Sequence, residues 1–261
     1  MARLLVVGGG LFGSQAAAYA RGKGIDAIVF DAGLHGAASA AAAGLFQEAW
    51  AGKKYADHFR QACPVLDRLY GIRHVTLVGD DEREEDFFFV PPSVILEAAP
   101  LRQEVTAIGD GWLETDGMRY EGWVYVAAGI WCERFLPGLG VYGKAGAAFS
   151  FEGERAGRIR ELSRSRQALC FVRDPGRTHF SDGTAERDYT PEHDRQTLSR
   201  AAALGLTDPP VQRSFGYRPY TPGGPKFLKL GSRLWLATGG RKMGTILGAA
   251  FARRLVEEEI G

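Results

Sequence analysis

The chain is poor in cysteine, in histidine and in charge of one sign. Its three cysteines, Cys63, Cys132 and Cys170, are widely spaced, which excludes a disulfide framework and a paired-cysteine metal site. The five histidines show no metal-ligand spacing, so no metal is expected. Lys and Arg number 32 against 31 Asp and Glu, and the net charge of +1 favours neither nucleic acid nor an anionic membrane as partner.

Long apolar runs are also missing, whereas glycine is in excess. No run approaches the roughly 20 residues of a membrane-spanning helix, and Leu4 to Val7 is too short for the core of a secretory signal. We therefore expect a cytoplasmic protein without a membrane partner. The 35 glycines concentrate in residues 8–44 and 216–248. Because glycine lets backbone approach a ligand closely, both chain ends are predicted to line a site.

The N-terminal segment predicts a βαβ unit. The apolar run Leu4 to Val7 is typical of a parallel strand buried on both faces. Ser14 to Arg21 is rich in alanine, contains no Pro or Gly and is followed by glycine, as expected of a short helix. Ala27 to Phe30 predicts the second strand. The turn between the first strand and the helix reads Gly8-x-Gly10-x-x-Gly13.

This turn matches a dinucleotide-binding fingerprint. The first glycine permits a tight turn, the second lets a pyrophosphate approach the backbone, and the third allows close packing of helix on strand. The phosphates would then lie on N–H groups of the helix. Asp31 ends the second strand 18 residues after Gly13, where a carboxylate binds the ribose; the alternative is a turn residue in Asp31-Ala32-Gly33. A carboxylate disfavours NADP, while FAD and NAD both fit.

The middle of the chain predicts further helices and strands. Gly36 to Leu45 is either a tightly packed helix or a linker, although the apolar pair Leu45-Phe46 argues against a flexible one. Lys53 to Tyr70 predicts a helix interrupted near Pro64, and the acidic run Asp80 to Asp86 predicts a solvated turn. Other predicted elements are a strand Phe87–Val90, a helix Pro92–Ala99, a strand Val105–Ile108, a hairpin of Trp112–Thr115 with Arg119–Ala127, antiparallel strands from Phe149 onward, a helix Pro191–Leu204 capped by Thr190, a strand Leu234–Ala237 and a helix Gly244–Glu259.

Several blocks taken in order carry a family resemblance. They are Gly8 to Gly13 with Asp31, then Ala38-Ser39-Ala40-Ala41-Ala42-Ala43-Gly44-Leu45, then Tyr125-Val126-Ala127-Ala128-Gly129-Ile130-Trp131, then Gly216-Tyr217-Arg218-Pro219-Tyr220-Thr221-Pro222, then Ala237-Thr238-Gly239-Gly240 with Gly244. This series spans the whole chain. It resembles the D-amino-acid oxidase superfamily, closest to its glycine and sarcosine oxidase branch.

The resemblance implies an α/β fold and FAD as cofactor. A Rossmann-type FAD-binding domain with a parallel sheet is expected from residues 1–78, 94–136 and 232–261. A smaller, mainly antiparallel α+β substrate-side domain is expected from residues 79–93 and 137–231. Family members with covalent flavin use a cysteine near the C-terminal block, where this chain has none, so non-covalent FAD is expected. The implied cofactor residues are Gly8, Gly10, Leu11, Phe12, Gly13, Asp31, Ala32, Ser39, Ala43, Gly44, Val105, Ala128, Gly129, Trp131, Gly239, Gly240, Lys242, Met243, Gly244 and Thr245.

The resemblance also implies substrate-side roles. Arg218 resembles the arginine that pairs with a substrate carboxylate, and a bidentate guanidinium suits that planar anion; the alternative is a surface arginine packed on Tyr217 and Tyr220. Lys242 matches a second cation near substrate or flavin, although Arg241 is an alternative for the inward position. Tyr217 and Tyr220 would shape the pocket. A helix N-terminus at Gly244 aimed at the flavin would favour its reduced, negative form.

The predicted function is oxidation of the C–N bond of an amino acid or amine, with hydride transfer to flavin N5 and release of an imine. The alternative is a non-catalytic or accessory flavoprotein, and a weaker third hypothesis is an NAD-dependent reductase. Members of this branch are usually longer, and the shortage lies between Gly44 and Val105. The pocket is then open, is completed by another subunit in a homo- or hetero-oligomer, or accepts a bulkier substrate.

Overall fold

The computed structural model describes residues 2–96, 99–163 and 166–261 of a mixed α/β fold. The strands are β1 (Arg3–Val7), β2 (Asp26–Phe30), β3 (Leu45–Phe46), β4 (Arg73–Val78), β5 (Glu84–Phe89), β6 (Ala107–Gly109), β7 (Trp112–Thr115), β8 (Met118–Glu121), β9 (Trp123–Val126), β10 (Tyr142–Glu152), β11 (Arg158–Ser163), β12 (Arg166–Asp174), β13 (Arg177–Ser181), β14 (Gln212–Tyr220), β15 (Lys226–Lys229) and β16 (Leu234–Thr238). The helices are α1 (Leu11–Gly22), α2 (Glu48–Tyr70), α3 (Pro92–Ile95), α4 (Pro191–Ala202) and α5 (Gly244–Arg254), with 3-10 turns at Ala38–Ala41 and Gly129–Arg134 and a π-helical continuation of α5 at Leu255–Ile260.

The first sheet has five strands in the order β15-β16-β9-β1-β2. Strand β1 pairs in parallel with β2 and β9, and β16 pairs in parallel with β9. The β1 residues Leu4, Leu5 and Val6 are fully buried, because helices cover one face and the small three-stranded sheet β6-β7-β8 lies on the other side. The first and last strands of the chain therefore share one sheet, as the apolar runs predict.

The second sheet has eight strands in the order β14-β10-β13-β12-β11-β4-β5-β3 and is mainly antiparallel. Its longest pairing joins β10 and β14, from Tyr142 opposite Tyr220 to Ser150 opposite Gln212. The predicted antiparallel region is therefore present, although it begins at Tyr142 and not at Phe149. Strands β3 and β4 lie in the range 1–78 expected for the cofactor domain, yet they pair here, since β4 and β5 form one hairpin. Strand β15, from the range 137–231, pairs in the first sheet.

Helices α1, α2 and α5 pack together on one face of the first sheet. Two glycines bring α5 against α1: a Cβ at Gly244 would lie 3.1 Å from Leu11 Cδ1, and one at Gly248 would overlap Gln15 Nε2. Leu11 and Gln15 are four residues apart and so lie on the same face of α1. This close approach places the N-termini of both helices at the same end of the sheet.

Three local predictions are corrected by the structure. Helix α2 runs through Pro64, where Ala62, Val65 and Leu66 are buried in the core, and its break is instead at Gly52, with φ 58° and ψ 179°. The segment Arg119–Ala127 is not one strand: β8 pairs with β7, whereas β9 joins the five-stranded sheet. The acidic run is only partly a turn, because Glu84 to Asp86 belong to β5.

The remaining predicted elements differ at their ends. The predicted strand at Val105–Ile108 is β6, which begins at Ala107. Helix α3 ends at Ile95, and the predicted extension to Ala99 crosses residues 97 and 98, which lie outside the described residues. Helix α4 begins after the predicted N-cap Thr190, whose backbone N–H donates to His193 Nδ1 at 3.0 Å as one half of a capping box. Among the described helices, none combines the length and apolar character needed to cross a membrane.

Candidate functional site

A cavity of about 600 Å³ lies between the two large sheets and reaches the N-termini of α1 and α5. Its volume falls within the range of roughly 300–1,000 Å³ typical of cofactor and small-molecule sites. The predicted site residues that line it are Gly8, Gly10, Leu11, Phe12, Asp31, Ala32, Ser39, Ala43, Gly44, Val105, Ala128, Gly129, Trp131, Tyr217, Arg218, Gly240, Lys242, Met243, Gly244 and Thr245. Gly13, Gly239 and Tyr220 do not line it.

The glycine turn between β1 and α1 depends on close backbone contacts. Gly8 has φ 102°, and a Cβ there would lie 2.7 Å from the carbonyl oxygen of Ala127, the residue that follows β9. Gly13 faces away from the cavity, and a Cβ on it would overlap Gly8 O. Gly13 therefore has the packing role that the third glycine of such a turn requires, while Gly8 and Gly10 line the cavity.

Helix α1 presents its N-terminus to the cavity without a side-chain cap and without an acidic residue in its first turn. Ser39 Oγ accepts a hydrogen bond from Leu11 N at 2.9 Å, which ties the small-residue segment to this N-terminus. That segment is a 3-10 turn followed by β3, so neither a long helix nor a linker describes it. The first-turn N–H groups that Ser39 does not engage are donors suited to an anion.

Asp31 closes this end of the cavity after β2. Its Oδ2 accepts from Gly9 N at 2.6 Å and its Oδ1 accepts from Gly33 N at 2.7 Å. Arg102 Nη1 lies 3.4 Å from the same carboxylate. The carboxylate therefore fixes the glycine turn and the next turn together, so it has a structural role as well as a place on the cavity wall.

A second group of small residues follows β9 and β16. Ala128 and Gly129 line the cavity, and Thr238 Oγ1 donates to Gly129 O at 2.8 Å across the two strand ends. Gly239 has φ 78° and lies against Thr221 and Pro225, which explains why it does not meet the cavity. Helix α5 then begins at Gly244 with neither an acidic first turn nor a side-chain cap. Two uncapped helix N-termini thus share one cavity.

Arg218 lies on β14 at the opposite end of the cavity. Its Nη1 donates to Thr184 O at 2.7 Å, which orients the guanidinium. Desolvation by burial is the largest effect on its pKa and lowers it, while nearby Tyr220 and Asp182 raise it. Within the described residues no carboxylate forms an ion pair with Arg218, since Asp182 pairs with Arg200. The alternative of a surface arginine is therefore wrong: Arg218 is a partly buried cation on the cavity wall.

Lys242 and Arg241 both line the cavity. Arg241 N donates to Pro219 O at 3.2 Å, and its guanidinium carbon lies 5.1 Å from the centre of the Tyr220 ring. Tyr217 meets the cavity from β14, is 36% exposed and covers Gly36, where a Cβ would lie 2.7 Å from its ring. The two cations offered as alternatives are thus both present at the Arg218 end.

Some residues that line the cavity were not predicted from the sequence. Gln103, Glu104 and Arg134 line the cavity near Val105, and Arg134 Nη2 donates to Glu104 Oε1 at 2.5 Å. Polar residues of the eight-stranded sheet also line it: Glu161, Ser163, Gln167 and Ser181. Glu161 and Gln167 are register partners in β11 and β12, and this long-range pairing has no local signal in the sequence.

None of the three cysteines lines the cavity. Burial raises the pKa of the Cys63 thiol to about 11, of the Cys132 thiol to about 12 and of the Cys170 thiol to about 11. Each thiol is therefore held in its neutral, unreactive form at neutral pH. In the parts of the chain that the structure describes, no three His, Cys, Asp or Glu side chains are grouped to hold a metal ion.

Solved structures resemble the whole chain, whereas no family model and no curated protein matches it. Iminodiacetate oxidase from Chelativorans sp. BNC1 superimposes with a TM-score of 0.74 and 18% identity over 99% of this chain and 95% of that chain. Glycine oxidase from Geobacillus kaustophilus gives 0.73 and 16% over 100% and 95%. An FAD-dependent oxidoreductase from Pseudomonas aeruginosa gives 0.68 and 16% over 98% and 89%. The chain therefore has the fold of iminodiacetate oxidase and glycine oxidase, which is the fold that the resemblance to glycine and sarcosine oxidases implies.

Proposed function

We propose that the chain is an FAD-dependent oxidoreductase that oxidises the C–N bond of an amino acid or amine. The observation that carries the proposal is one cavity in which a glycine turn with Asp31, the N-termini of α1 and α5 and the partly buried Arg218 meet. The five-stranded sheet with α1 and α5 is then a Rossmann-type FAD-binding domain, and the eight-stranded sheet forms the substrate side. The fold shared with an FAD-dependent oxidoreductase supports the choice of FAD over NAD.

The donors of the cavity wall fit the parts of FAD. N–H groups of Gly10 and Phe12 would hold the diphosphate beside the Leu11 N–H that Ser39 engages, and its negative charge suits the positive end of a helix dipole. The Asp31 carboxylate would accept from a ribose hydroxyl beside its bonds to Gly9 and Gly33. The N-terminus of α5 at Gly244 and Thr245 would stabilise negative charge on the ring system.

The proposed role of the substrate side is to orient the substrate against the cofactor. When bound, FAD supplies the two-electron acceptor for the hydride that leaves the carbon bearing the nitrogen. Arg218 lines the cavity with its Nη1 anchored on Thr184 O, and it would bind the substrate carboxylate. Fixing the carboxylate restricts the position of the adjacent C–H and C–N bonds, and this restriction is the contribution of the protein.

The test is an absorbance spectrum of the purified protein followed by anaerobic addition of glycine, sarcosine, D- and L-amino acids and larger secondary amines. We expect flavin bands in the protein as isolated or after reconstitution with FAD, and bleaching by at least one amine. A protein that cannot be reconstituted with FAD would contradict the cofactor. Bands that no amine bleaches would contradict the reaction and support the accessory alternative.

A further inference from the structure

The end of the cavity at Arg218 holds more positive charge than one carboxylate requires. Lys144 of β10 is the register partner of Arg218 in β14. Arg241 is tied to the same strand by its backbone bond to Pro219 O. Arg187 lies nearby, with its guanidinium carbon 4.3 Å from the centre of the Tyr142 ring. Of these cations, Arg218 and Arg241 line the cavity, whereas Lys144 and Arg187 lie against the rings of Tyr220 and Tyr142, which do not line it.

Two stacked tyrosines hold three of these cations close to one another. The rings of Tyr142 and Tyr220 lie 5.6 Å apart at an angle of 20°. Arg241 Cζ is 5.1 Å and Lys144 Nζ is 5.4 Å from the centre of the Tyr220 ring. Cation–π contacts of this kind orient a positive group without neutralising its charge.

Ion pairs do not neutralise this charge, although the nearby buried Asp182 raises the pKa of Arg218. Among residues 2–96, 99–163 and 166–261, no carboxylate lies within ion-pair distance of the cations Arg187, Arg218, Arg241 and Lys144. Asp182 accepts from Thr184 N, Thr197 Oγ1 and Arg200, and Glu161 lies on β11, four strands from β14. At the other end of the cavity, by contrast, Arg134 pairs with Glu104 and Arg102 with Asp31.

The backbone at Arg241 supports a role for its side chain. Arg241 has φ 51°, in the left-handed region that favours glycine, and it directly follows Gly239 and Gly240. Glycine would relieve the conformational cost at this position. The loop instead places there an arginine whose side chain lines the cavity.

We propose that the substrate carries a second anionic group, held by Arg241, in addition to the carboxylate bound by Arg218. This inference rests on the proposed function and narrows its substrate class to amino acids or amines with two carboxylates, or with a carboxylate and another anion. Arg241 is then the specificity-determining residue: a neutral amide in place of the second anion would leave its guanidinium unmatched.

The test uses ligands that cannot be oxidised, so that binding is measured apart from turnover. Oxydiacetate has two carboxylates and no amine, and its monoamide has the same shape with one carboxylate. Dissociation constants come from perturbation of the flavin spectrum of the FAD-loaded protein. We expect oxydiacetate to bind at least about tenfold more tightly than the monoamide, and this preference to shrink as ionic strength rises.

Variants then assign the preference to Arg241. R241Q keeps a non-glycine residue at the same backbone position, and we expect it to bind both ligands with similar affinity. R195Q, at an exposed arginine of α4 paired with Glu192, is the matched control and should keep the wild-type preference. Equal binding of diacid and monoamide by the wild type, or an unchanged preference in R241Q, would overturn the inference. If monocarboxylate amines bleach the flavin but the protein does not prefer the diacid over the monoamide, the proposed function stands and only this inference is lost.

Discussion

At the scale of the residue, the Asp31 carboxylate connects two turns at the cofactor end of the cavity through backbone hydrogen bonds. Its two oxygens accept from Gly9 N and Gly33 N at 2.6 and 2.7 Å. D31N keeps the shape but leaves one acceptor, so an amide NH₂ must face one of these N–H groups. We expect FAD binding to weaken by about 10- to 100-fold, equivalent to about 1.4–2.8 kcal/mol.

Fluorescence quenching of FAD on titration with the protein measures this change. D26N is the matched control, because Asp26 lies on the same strand β2 and forms an exposed ion pair with Arg3. Exposed pairs contribute little, so D26N should bind FAD like the wild type. If D31N and D26N bind FAD equally well, Asp31 has no role in holding the cofactor.

Arg218 offers a second residue-scale prediction. R218K keeps the positive charge but loses the planar fork that binds a carboxylate through two parallel bonds. We expect the dissociation constant of a carboxylate ligand such as oxydiacetate monoamide to rise about tenfold or more, with little change in FAD affinity. Spectral titration measures both. R195K on α4 serves as the control, and equal ligand affinity in R218K and the wild type would contradict the carboxylate role.

At the scale of the element, helix α1 contains two glycines with opposite expected effects. A Cβ at Gly13 would overlap Gly8 O, a backbone atom that cannot move aside. G13A should therefore lower the free energy of unfolding by about 3 kcal/mol or more, and it should impair FAD binding. A Cβ at Gly22 would meet Leu69 Cδ2 at 3.9 Å, an ordinary contact. G22A should stabilise by up to about 1 kcal/mol, because alanine favours helix.

Urea unfolding of G13A, G22A and the wild type separates these effects. The same chemical change is made at both ends of one helix, so general effects of an added methyl group cancel. A G13A protein as stable as G22A would show that the turn relaxes to accept a Cβ, and the proposed close packing of α1 on β1 would be wrong.

Elements with strong local signals could be predicted from the sequence, and those that depend on distant pairing could not. Strand β1, helix α1 and strand β2 follow from an apolar run, an alanine-rich segment and glycine punctuation. The split of Arg119–Ala127 into β8 and β9 has no such signal, because both halves are strand-forming and only their partners differ. The continuity of α2 through Pro64 likewise depends on its buried face and not on propensity.

The site divides in the same way. Residues in glycine-rich blocks, such as Gly10 and Gly244, could be found because backbone that approaches a ligand requires glycine. The polar wall formed by Glu161 and Gln167 could not, since it arises from the register of β11 on β12 and from the way the second sheet faces the first. Arg241 was offered only as an alternative to Lys242, and the structure places both at the cavity.

At the scale of the whole molecule, one buried histidine links stability to pH. His179 is 1% exposed on β13, its ring lies 5.5 Å from that of Phe171, and its Nε2 has no hydrogen-bond partner among the described residues. Burial, with a smaller contribution from Arg173, lowers the pKa of His179 to about 3. The folded protein therefore keeps this imidazole neutral over most of the acid range.

The unfolded chain has no such constraint, and its His179 takes up a proton near the ordinary pKa of about 6.5. As pH falls below that value the unfolded state binds more protons than the folded state, so the free energy of unfolding decreases until the folded pKa is reached. At pH 5 this single group should cost about 2 kcal/mol relative to pH 7.5. H179L removes the titrating group, and urea unfolding should show a smaller loss of stability between the two pH values than in the wild type. His58, whose pKa burial also lowers, is present in both proteins and cancels in the comparison. The comparison uses the change between pH 7.5 and pH 5, so it does not depend on the absolute stability of H179L. If H179L loses as much stability over this range as the wild type, His179 is protonated in the folded state. Arg173 and the aromatic neighbours would then not exclude the charge.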